Sequence, residues 1–310
     1  MIKVRDLAYV RYQVTDLDLI RQFLIDFGLE VSYETENELG FSTANGNPYA
    51  YIAAGGNTNE FLGFGLEARD ARDLLSLVDA GLATSVDPLP EQHGGSRATV
   101  RHPDGHQIDI VYGRAWGRKA VVREPLVHNF GTVKQRINDS QRPPKGSVQA
   151  LRLGHVAITV SDVKASERWF GEHFGLRAAD FLVTADEEQR TVGVFMSCDP
   201  ADSFCDHHSV FITQSNEVKV HHCAFEVQDI DAVMSGHDFL IGKGYSLEVG
   251  VGRHMAGSQV FDYWIDPFGH RIEHYGDGDV VDSKHTPSKI VGTPEGVTQW
   301  GPIPPDKFFE

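Results

Sequence analysis

Cysteine, basic residues and long apolar runs are all scarce in this sequence. Its 310 residues include three cysteines without Cys-x-x-Cys spacing, so we expect reduced thiols rather than a disulfide framework. Acidic residues outnumber basic ones, 44 to 28, and the formal charge of −16 argues against nucleic acid or an anionic membrane as a partner. No apolar run approaches the length of a membrane span, and the N-terminus lacks the apolar stretch of a signal peptide. We therefore expect a soluble cytoplasmic protein.

The chain is long enough for two domains, and its two halves repeat each other. Each half begins with an alternating strand-like run, followed by a helical stretch that ends in Phe-Gly-Leu. Two further pairs of segments match, a strand before a second helix and a turn before a last strand. The matching segments, first half then second half, are 7–17 with 153–163, 64–70 with 223–229, and 102–109 with 266–273. Duplication therefore predicts two strand–helix–strands units in each half.

Composition also divides the chain. Hydrophobic periodicity fades and basic residues accumulate between Arg114 and Ala150, which predicts a solvated connector packed against an acidic body. The segment after Asp277 is rich in proline and shows no helical or strand period, which predicts an extended arm docked on the body or on a neighbouring subunit. We therefore expect domains at 1–113 and 151–277, a linker at 114–150 and a tail at 278–310.

Three strand-like segments of the second half each carry a side chain that can bind a metal: His155, His222 and Glu273. Eleven of the fifteen histidines lie from His155 onward. Taken alone, each of the three residues is more typical of a hydrogen-bonded core side chain or an exposed surface side chain than of a metal ligand. Together, two histidines and one carboxylate on a rigid sheet form the facial triad of a non-heme Fe(II) oxygenase, which leaves the opposite face of the metal open.

The segment 252–273 carries a longer pattern: a histidine, a tyrosine, an Asp-Pro turn with glycine, and then the glutamate of the triad. These positions are His254, Tyr263, Asp266, Pro267, Gly269 and Glu273. The pattern resembles the type I extradiol ring-cleavage dioxygenases of the vicinal oxygen chelate superfamily. The resemblance covers the whole chain, faintly in the N-terminal half and clearly from about Leu151 to Tyr275.

The resemblance implies an α+β fold of four βαβββ modules, paired into two half-open barrel domains (the glyoxalase/bleomycin resistance/dioxygenase fold). It places Fe(II) in the C-terminal barrel, with Mn(II) as an alternative. Aligning the repeats puts Tyr9, Gly63 and Asp109 opposite the three ligands. Because this set lacks the two imidazoles, we expect the first domain to be metal-free and structural.

Neighbouring residues on a strand point to opposite faces, so only one of His221 and His222 is expected to face the barrel. The resemblance assigns His222 as the ligand, which places His221 and Cys223 outside. It also implies an acid–base histidine fourteen residues before His222, which is His208 in preference to its neighbour His207.

The resemblance further gives His254 and Tyr263 the role of hydrogen-bonding substrate oxygens. The implied activity is an Fe(II)-dependent extradiol dioxygenase that inserts both atoms of O₂ into a substituted catechol, cleaving the ring next to its hydroxyls, in aromatic compound degradation. The alternatives are a 4-hydroxyphenylpyruvate dioxygenase-like enzyme and a metal-free binding module of the same superfamily. The ring substituent and the site of cleavage stay open, and a homo-oligomer is expected.

Overall fold

Two mixed sheets, each made from two copies of one βαβββ unit, organise the chain. The computed structural model describes residues 1–90, 93–201 and 203–309. The first half contains β1 (Val4–Val14), α1 (Leu17–Phe27), β2 (Glu30–Glu34), β3 (Glu38–Ser42), β4 (Tyr51–Gly55), β5 (Glu60–Ala68), α2 (Ala71–Asp79), β6 (Asp87–Pro88), β7 (Ser96–Arg101) and β8 (Gln107–Tyr112). Its eight strands form one sheet in the order β2-β3-β4-β1-β5-β8-β7-β6.

The second half repeats this order and adds the tail. It contains β9 (Arg152–Val160), α3 (Val163–Phe174), β10 (Arg177–Val183), β11 (Thr191–Ser197), β12 (Cys205–Asp206), β13 (Val210–Gln214), β14 (Val220–Glu226), α4 (Ile230–Lys243), β15 (Ser246–His254), β16 (Val260–Ile265) and β17 (Arg271–Gly276). The tail adds β18 (Val280–Val281), β19 (Ser288–Val291), α5 (Pro294–Val297), β20 (Thr298–Trp300) and a 3₁₀ turn (Asp306–Phe309). Ten strands pair in the order β19-β10-β11-β13-β9-β14-β17-β16-β15-β20, and β12 pairs with β18. The four predicted βαβββ modules are confirmed.

Helix α1 shows how local sequence sets these elements. Asp16 caps its N-terminus by accepting a hydrogen bond from the Leu19 amide at 2.9 Å. Its apolar stripe is buried, as the spacing predicts, and comprises Ile20, Phe23, Leu24 and Phe27. Gly28 ends the helix with φ of 114°, in the left-handed region that glycine enters without strain.

The two halves share one continuous apolar core, and buried polar contacts join them. His274 Nε2 hydrogen-bonds the Phe27 carbonyl oxygen at 2.7 Å, and the Tyr245 hydroxyl donates to Asp26 at 2.7 Å. Tyr12 of the first half packs against the His270 ring of the second, with ring centroids 4.6 Å apart. The first half thereby supports the outer face of the second sheet.

The linker forms no helix or strand between residues 113 and 151, all of which the structure describes. Its two end residues, Arg114 and Ala150, are buried and contradict the expectation of a solvated segment. Arg114 is buried, and it donates to Glu67 Oε1 at 2.7 Å and to the Tyr49 carbonyl at 3.0 Å. A carboxylate as deeply buried as Glu67 needs a cationic partner, and the first residues of the linker supply it.

The tail docks on the second half through strand pairing, at both edges of the large sheet and in a separate two-stranded sheet. Strand β19 runs parallel to β10, β20 runs antiparallel to β15, and β18 pairs with β12. These short strands were not predicted from the sequence. An edge strand forms by hydrogen-bonding to the unpaired backbone groups of its neighbour, and it does not require an alternating apolar pattern of its own. All three cysteines are free thiols. Every helix in the described residues is too short or too polar to span a bilayer.

Candidate active site

Three adjacent strands at the centre of the second sheet bring the predicted ligand residues together. His155 lies on β9, His222 on β14 and Glu273 on β17, and all three side chains are buried. His155 Nε2 is 3.0 Å from both His222 Nε2 and Glu273 Oε2, and the third edge of this triangle is 3.3 Å.

Strand register explains the convergence. Ala224 on the middle strand pairs with His155 on one side and with Glu273 on the other. His222 lies two residues before Ala224, so period-2 alternation puts it on the same face of the sheet. Alanine leaves room above the middle strand, and the three longer side chains close over it.

The triangle fits a metal ion. Two ligand atoms about 2.1 Å from an ion and at right angles to each other are about 3.0 Å apart, which is close to the observed edges. The buried Glu273 Oε1 and His155 Nδ1 make no hydrogen bond to any described residue. A neutral imidazole nitrogen carries either a proton or a lone pair but not both. Hydrogen bonds alone therefore cannot satisfy all three edges of a triangle of two such nitrogens and one carboxylate oxygen, whereas a cation can bind all three atoms.

The environment keeps these side chains in the states a metal requires. Burial lowers the pKa of His222 to about 4, so its ring is neutral near pH 7. Burial alone would raise the pKa of Glu273, but His155 and the hydrogen bonds of the surrounding histidines lower it well below its ordinary value. Glu273 is therefore an anionic carboxylate, and the His222 ring beside it is a neutral imidazole.

The prediction that His221 lies outside the barrel is wrong. Strand β14 contains a bulge in which Val220 and His222 pair with the consecutive residues Ile158 and Ala157, so His221 is an extra residue. The bulge turns His221 to the cavity side, where its Nδ1 lies 2.6 Å from His222 Nδ1. Its Nε2 lies 2.7 Å from the Phe308 carbonyl oxygen and 2.9 Å from Arg271.

Cys223 is buried on the opposite face of β14, against Tyr12 of the first half, and is no part of the triangle.

The two histidines of the 207–208 pair face different surroundings. His208 lines the cavity above the triangle, with its ring centroid 4.3 Å from that of His155. Burial and the neighbouring histidines lower the pKa of His208 well below its ordinary value. His207 turns away, and its Nε2 lies 3.0 Å from Asp180.

His254 and Tyr263 line the same cavity and touch each other. His254 Nε2 is 2.9 Å from the Tyr263 hydroxyl and 3.7 Å from Glu273 Oε1. The Tyr263 ring lies 5.3 Å from that of His222, and burial raises the Tyr263 pKa well above its ordinary value. All six residues singled out from the sequence thus surround one point in space.

The cavity has about 860 Å³ of empty space, part of it open to solvent. Its wall is largely apolar, and no charged Lys, Arg, Asp or Glu side chain is among its described lining residues. The apolar part of the wall comprises Leu182, Phe195, Phe211, Ala256, Ile290, Val297 and Phe308. Phe308 comes from the tail and packs edge-on against Tyr263, with ring centroids 4.8 Å apart.

Sequence reasoning missed several contributors to this site. Asp180, on β10, contacts His207 from 27 residues away and belongs to no motif. Arg271 packs over the Phe308 ring at 4.3 Å and pairs with Glu248 at 2.9 Å. The tail was not missed in the same way, because its apolar residues predict that it packs over this domain, and Phe308 lines the cavity.

In the first half the corresponding positions look different. The Tyr9 hydroxyl donates to Asp109 at 2.7 Å, and Thr99 donates to the other oxygen of that carboxylate at 2.7 Å. Gly63, the counterpart of His222, has no side chain and a φ of 136°.

Comparison with known proteins agrees with this geometry. Residues 152–274 match the Glyoxalase/Bleomycin resistance protein/Dioxygenase superfamily. Residues 152–274 therefore form a domain similar to those of this superfamily, and the fold predicted from the motifs is confirmed.

Over almost its full length the chain is similar to extradiol dioxygenases. It is 25% identical over 307 residues to metapyrocatechase 2 of Cupriavidus necator, covering 98% of this chain and 91% of the relative. It is 24% identical over 316 residues to the iron-dependent extradiol dioxygenase of Rhodococcus jostii (strain RHA1), covering 97% of each.

Solved structures share the fold across both halves. Homoprotocatechuate 2,3-dioxygenase from Brevibacterium fuscum superposes with a TM-score of 0.79 at 20% identity, covering 100% of this chain and 92% of that one. The Mn(II)-bound glyoxalase from Novosphingobium aromaticivorans superposes with a TM-score of 0.80 at 22% identity, covering 98% and 94%.

Proposed function

We propose that this protein is an Fe(II)-dependent extradiol dioxygenase that cleaves a substituted catechol next to its hydroxyls. The observation that carries the proposal is the triangle of His155, His222 and Glu273, with edges of 3.0, 3.0 and 3.3 Å, whose two histidines line an apolar cavity. The similarity to extradiol dioxygenases along 97–98% of the chain supports it.

The three residues would hold the metal through two nitrogens and one oxygen. A metal bound in this way supplies a Lewis acid and a template that keeps catechol and O₂ side by side, since a facial triad leaves three positions open. The single negative charge of Glu273 keeps the net charge of the site low when a catechol arrives as an anion.

His208 is placed to move the substrate's proton. Its Nδ1 lies against His207 at 3.1 Å, and its ring lines the cavity beside His155. A neutral imidazole there accepts a proton from one catechol hydroxyl at Nε2 and returns it later in the reaction. Tyr263 and His254, joined at 2.9 Å, offer fixed hydrogen bonds to oxygens on which negative charge develops.

The wall of the cavity indicates the class of ring substituent. A carboxylate substituent would be left without a cationic partner, because no Lys or Arg is among the described lining residues. Arg271 lies behind His221 and is paired with Glu248. Phe195, Phe211 and their apolar neighbours instead suit an alkyl or aryl substituent, and they exclude water from the reacting atoms.

The test is an aerobic assay of protein reconstituted anaerobically with Fe(II). A panel of alkyl-, aryl- and carboxyl-substituted catechols is mixed with the enzyme while the yellow ring-fission product is followed by absorbance. We expect turnover of the alkyl and aryl members, and kcat/KM at least tenfold lower for the carboxylates. A parallel arm with Mn(II) identifies the metal that supports turnover.

Two outcomes would overturn the proposal. Turnover of 4-hydroxyphenylpyruvate without catechol cleavage would favour 2-oxo acid chemistry on the same ligands. Tight binding of aromatic molecules by a protein that retains no metal would instead favour a binding module.

A further inference from the structure

Behind His208 lies a line of polar side chains that the proposed reaction does not use directly. His208 Nδ1 is 3.1 Å from His207 Nδ1, and His207 Nε2 is 3.0 Å from Asp180 Oδ2. All three residues are more than nine-tenths buried. The line therefore runs from the cavity wall into the protein, and only a small part of the Asp180 side chain at its far end is exposed.

The far end of this line is fixed in place. The other oxygen of the carboxylate, Asp180 Oδ1, accepts hydrogen bonds from the Ser288 amide and hydroxyl, both at 2.7 Å. Ser288 is the first residue of β19, the tail strand that pairs with β10. Burial alone would raise the pKa of Asp180, but the hydrogen bonds from His207 and Ser288 lower it, so the group is ionised near neutral pH.

Donor and acceptor roles then follow in sequence. An ionised carboxylate only accepts hydrogen bonds, so His207 must present Nε2–H to Asp180. A neutral His207 consequently has a lone pair at Nδ1, which requires a donor opposite it. The facing atom is His208 Nδ1, which must carry the proton. His208 is left with its lone pair on Nε2, the nitrogen that faces the cavity.

We propose that Asp180 and His207 are positioning residues that hold His208 in the Nδ1–H tautomer, with Nε2 free to accept the substrate's proton. The contact chain from Asp180 through His207 to His208 carries this inference. When His208 takes up a proton, its Nδ1–H continues to donate to His207, and the Asp180 carboxylate stabilises the positive charge across two hydrogen bonds. The logic matches that of a carboxylate that orients a general base through its second nitrogen.

The catalytic part of this inference rests on the proposed function, but the tautomer itself does not. A competing explanation exists for the same residues, because Asp180, His207 and His285 place one potential ligand atom each within 4.8 Å of one another. His285 Nε2 already bonds the Ala179 carbonyl oxygen at 2.8 Å, and His285 itself is exposed. A cation held there would need all three residues, whereas the positioning chain needs only the first two.

The first measurement is the tautomer in the metal-free protein. Long-range ¹H–¹⁵N correlation spectra of the ¹⁵N-labelled chain distinguish protonated from unprotonated ring nitrogens, and His207→Gln and His208→Gln identify the two spin systems. We expect His207 as the Nε2–H form and His208 as the Nδ1–H form. A wild-type spectrum with His208 protonated at Nε2 would overturn the inference, whether or not the protein cleaves catechols.

The second measurement uses Asp180→Asn to reverse the direction of the hydrogen bonds from Asp180 through His207 to His208. The amide oxygen of that variant stays with the two donors of Ser288, so its NH₂ group faces His207 Nε2 and forces a lone pair there. His207 then carries Nδ1–H, and His208 switches to the Nε2–H form. In iron-loaded enzyme we expect kcat to fall roughly 10²- to 10⁴-fold, as for a general base in the wrong tautomer, with KM and iron content nearly unchanged.

His285→Ala is the matched control, since His285 packs beside His207 without entering the chain. We expect an unchanged His208 tautomer and unchanged kcat. Two metal ions per wild-type chain, with one lost in both Asp180→Asn and His285→Ala, would replace the positioning role with a second cation site. Catechol inactivity of the wild type combined with the expected tautomers would instead refute the proposed function and leave the positioning chain standing.

Discussion

The two halves of this chain put different side chains at the same positions of the same fold. His155, His222 and Glu273 converge in the second half, where Glu273 Oε1 makes no hydrogen bond to a described residue. In the first half, Asp109 takes the place of Glu273, and its two oxygens accept from Tyr9 and Thr99. The Glu273 carboxylate is therefore available to bind an ion, whereas both oxygens of Asp109 are occupied by hydrogen bonds.

The difference extends to the space above each site. Strand register makes Tyr49 the counterpart of His208, because Tyr51 pairs with Val10 as Val210 pairs with Val156. The buried guanidinium of Arg114 lies over the Tyr49 ring at 5.1 Å, whereas the His208 ring lines the cavity of the second half. The same position of the fold therefore packs against a cation in one half and borders an open cavity in the other.

The strongest test of this comparison removes one imidazole and makes the second half resemble the first. His222→Ala leaves one nitrogen and one carboxylate, so we expect metal content near background and catechol cleavage below detection. Metal analysis together with the ring-fission assay measures both, and His128→Ala, an exposed linker histidine, serves as the control. A fully metal-loaded His222→Ala protein would show that the triangle is not the ligand set.

The next test changes the residue above the triangle and leaves the ligands intact. His208→Phe gives the position an aromatic ring without a base, as Tyr49 does in the first half. We expect iron content and substrate affinity near wild type and kcat lower by roughly 10²-fold or more, the usual contribution of a general base. Steady-state kinetics with metal analysis checks this. Full activity in His208→Phe, with inactivity in His207→Phe, would assign proton transfer to the other histidine.

Much of this architecture could be predicted because short, local sequence patterns determine it. The repeated strands, the Phe-Gly-Leu helix ends and the pattern from His254 to Glu273 each involve neighbours in sequence. The resemblance then selected His222 from the pair at 221 and 222, and the structure places it beside His155 and Glu273. The structure brings together every residue selected this way.

What could not be predicted depends on contacts between distant residues. The bulge that turns His221 into the cavity is a property of the pairing of β14 with β9, and no local pattern marks it. Asp180 reaches His207 only in the folded sheet, and its other oxygen is held by Ser288 of the tail strand β19, 108 residues away. In the sequence Arg114 is one of several basic linker residues, and its burial depends on the contact with Glu67, which no local pattern indicates.

A smaller effect is expected from the tail side chain that closes the cavity. Phe308→Ala removes a ring that packs on Tyr263 and His221, which opens the wall and exposes bound substrate to water. Loss of part of a buried phenyl contact, about 1.4 kcal/mol, corresponds to roughly a tenfold rise in KM for an apolar catechol. Ile303→Ala, an exposed tail residue, is the control. An unchanged KM in Phe308→Ala would show that the tail does not shape the pocket.

The smallest effect on catalysis is expected in the first half. Tyr9→Phe removes the hydroxyl that donates to Asp109 and leaves a buried carboxylate oxygen without that hydrogen bond. The expected cost is about 1–3 kcal/mol in the free energy of unfolding, measured by urea denaturation, because an unsatisfied buried acceptor pays its desolvation penalty in full. Iron content and kcat should match wild type, since the first site supplies no ligand to the second. Tyr112→Phe, which alters a partly exposed tyrosine at the end of β8, controls for the loss of a hydroxyl. A Tyr9→Phe protein that lost iron or turnover while retaining its stability would show that the first half takes part in the chemistry.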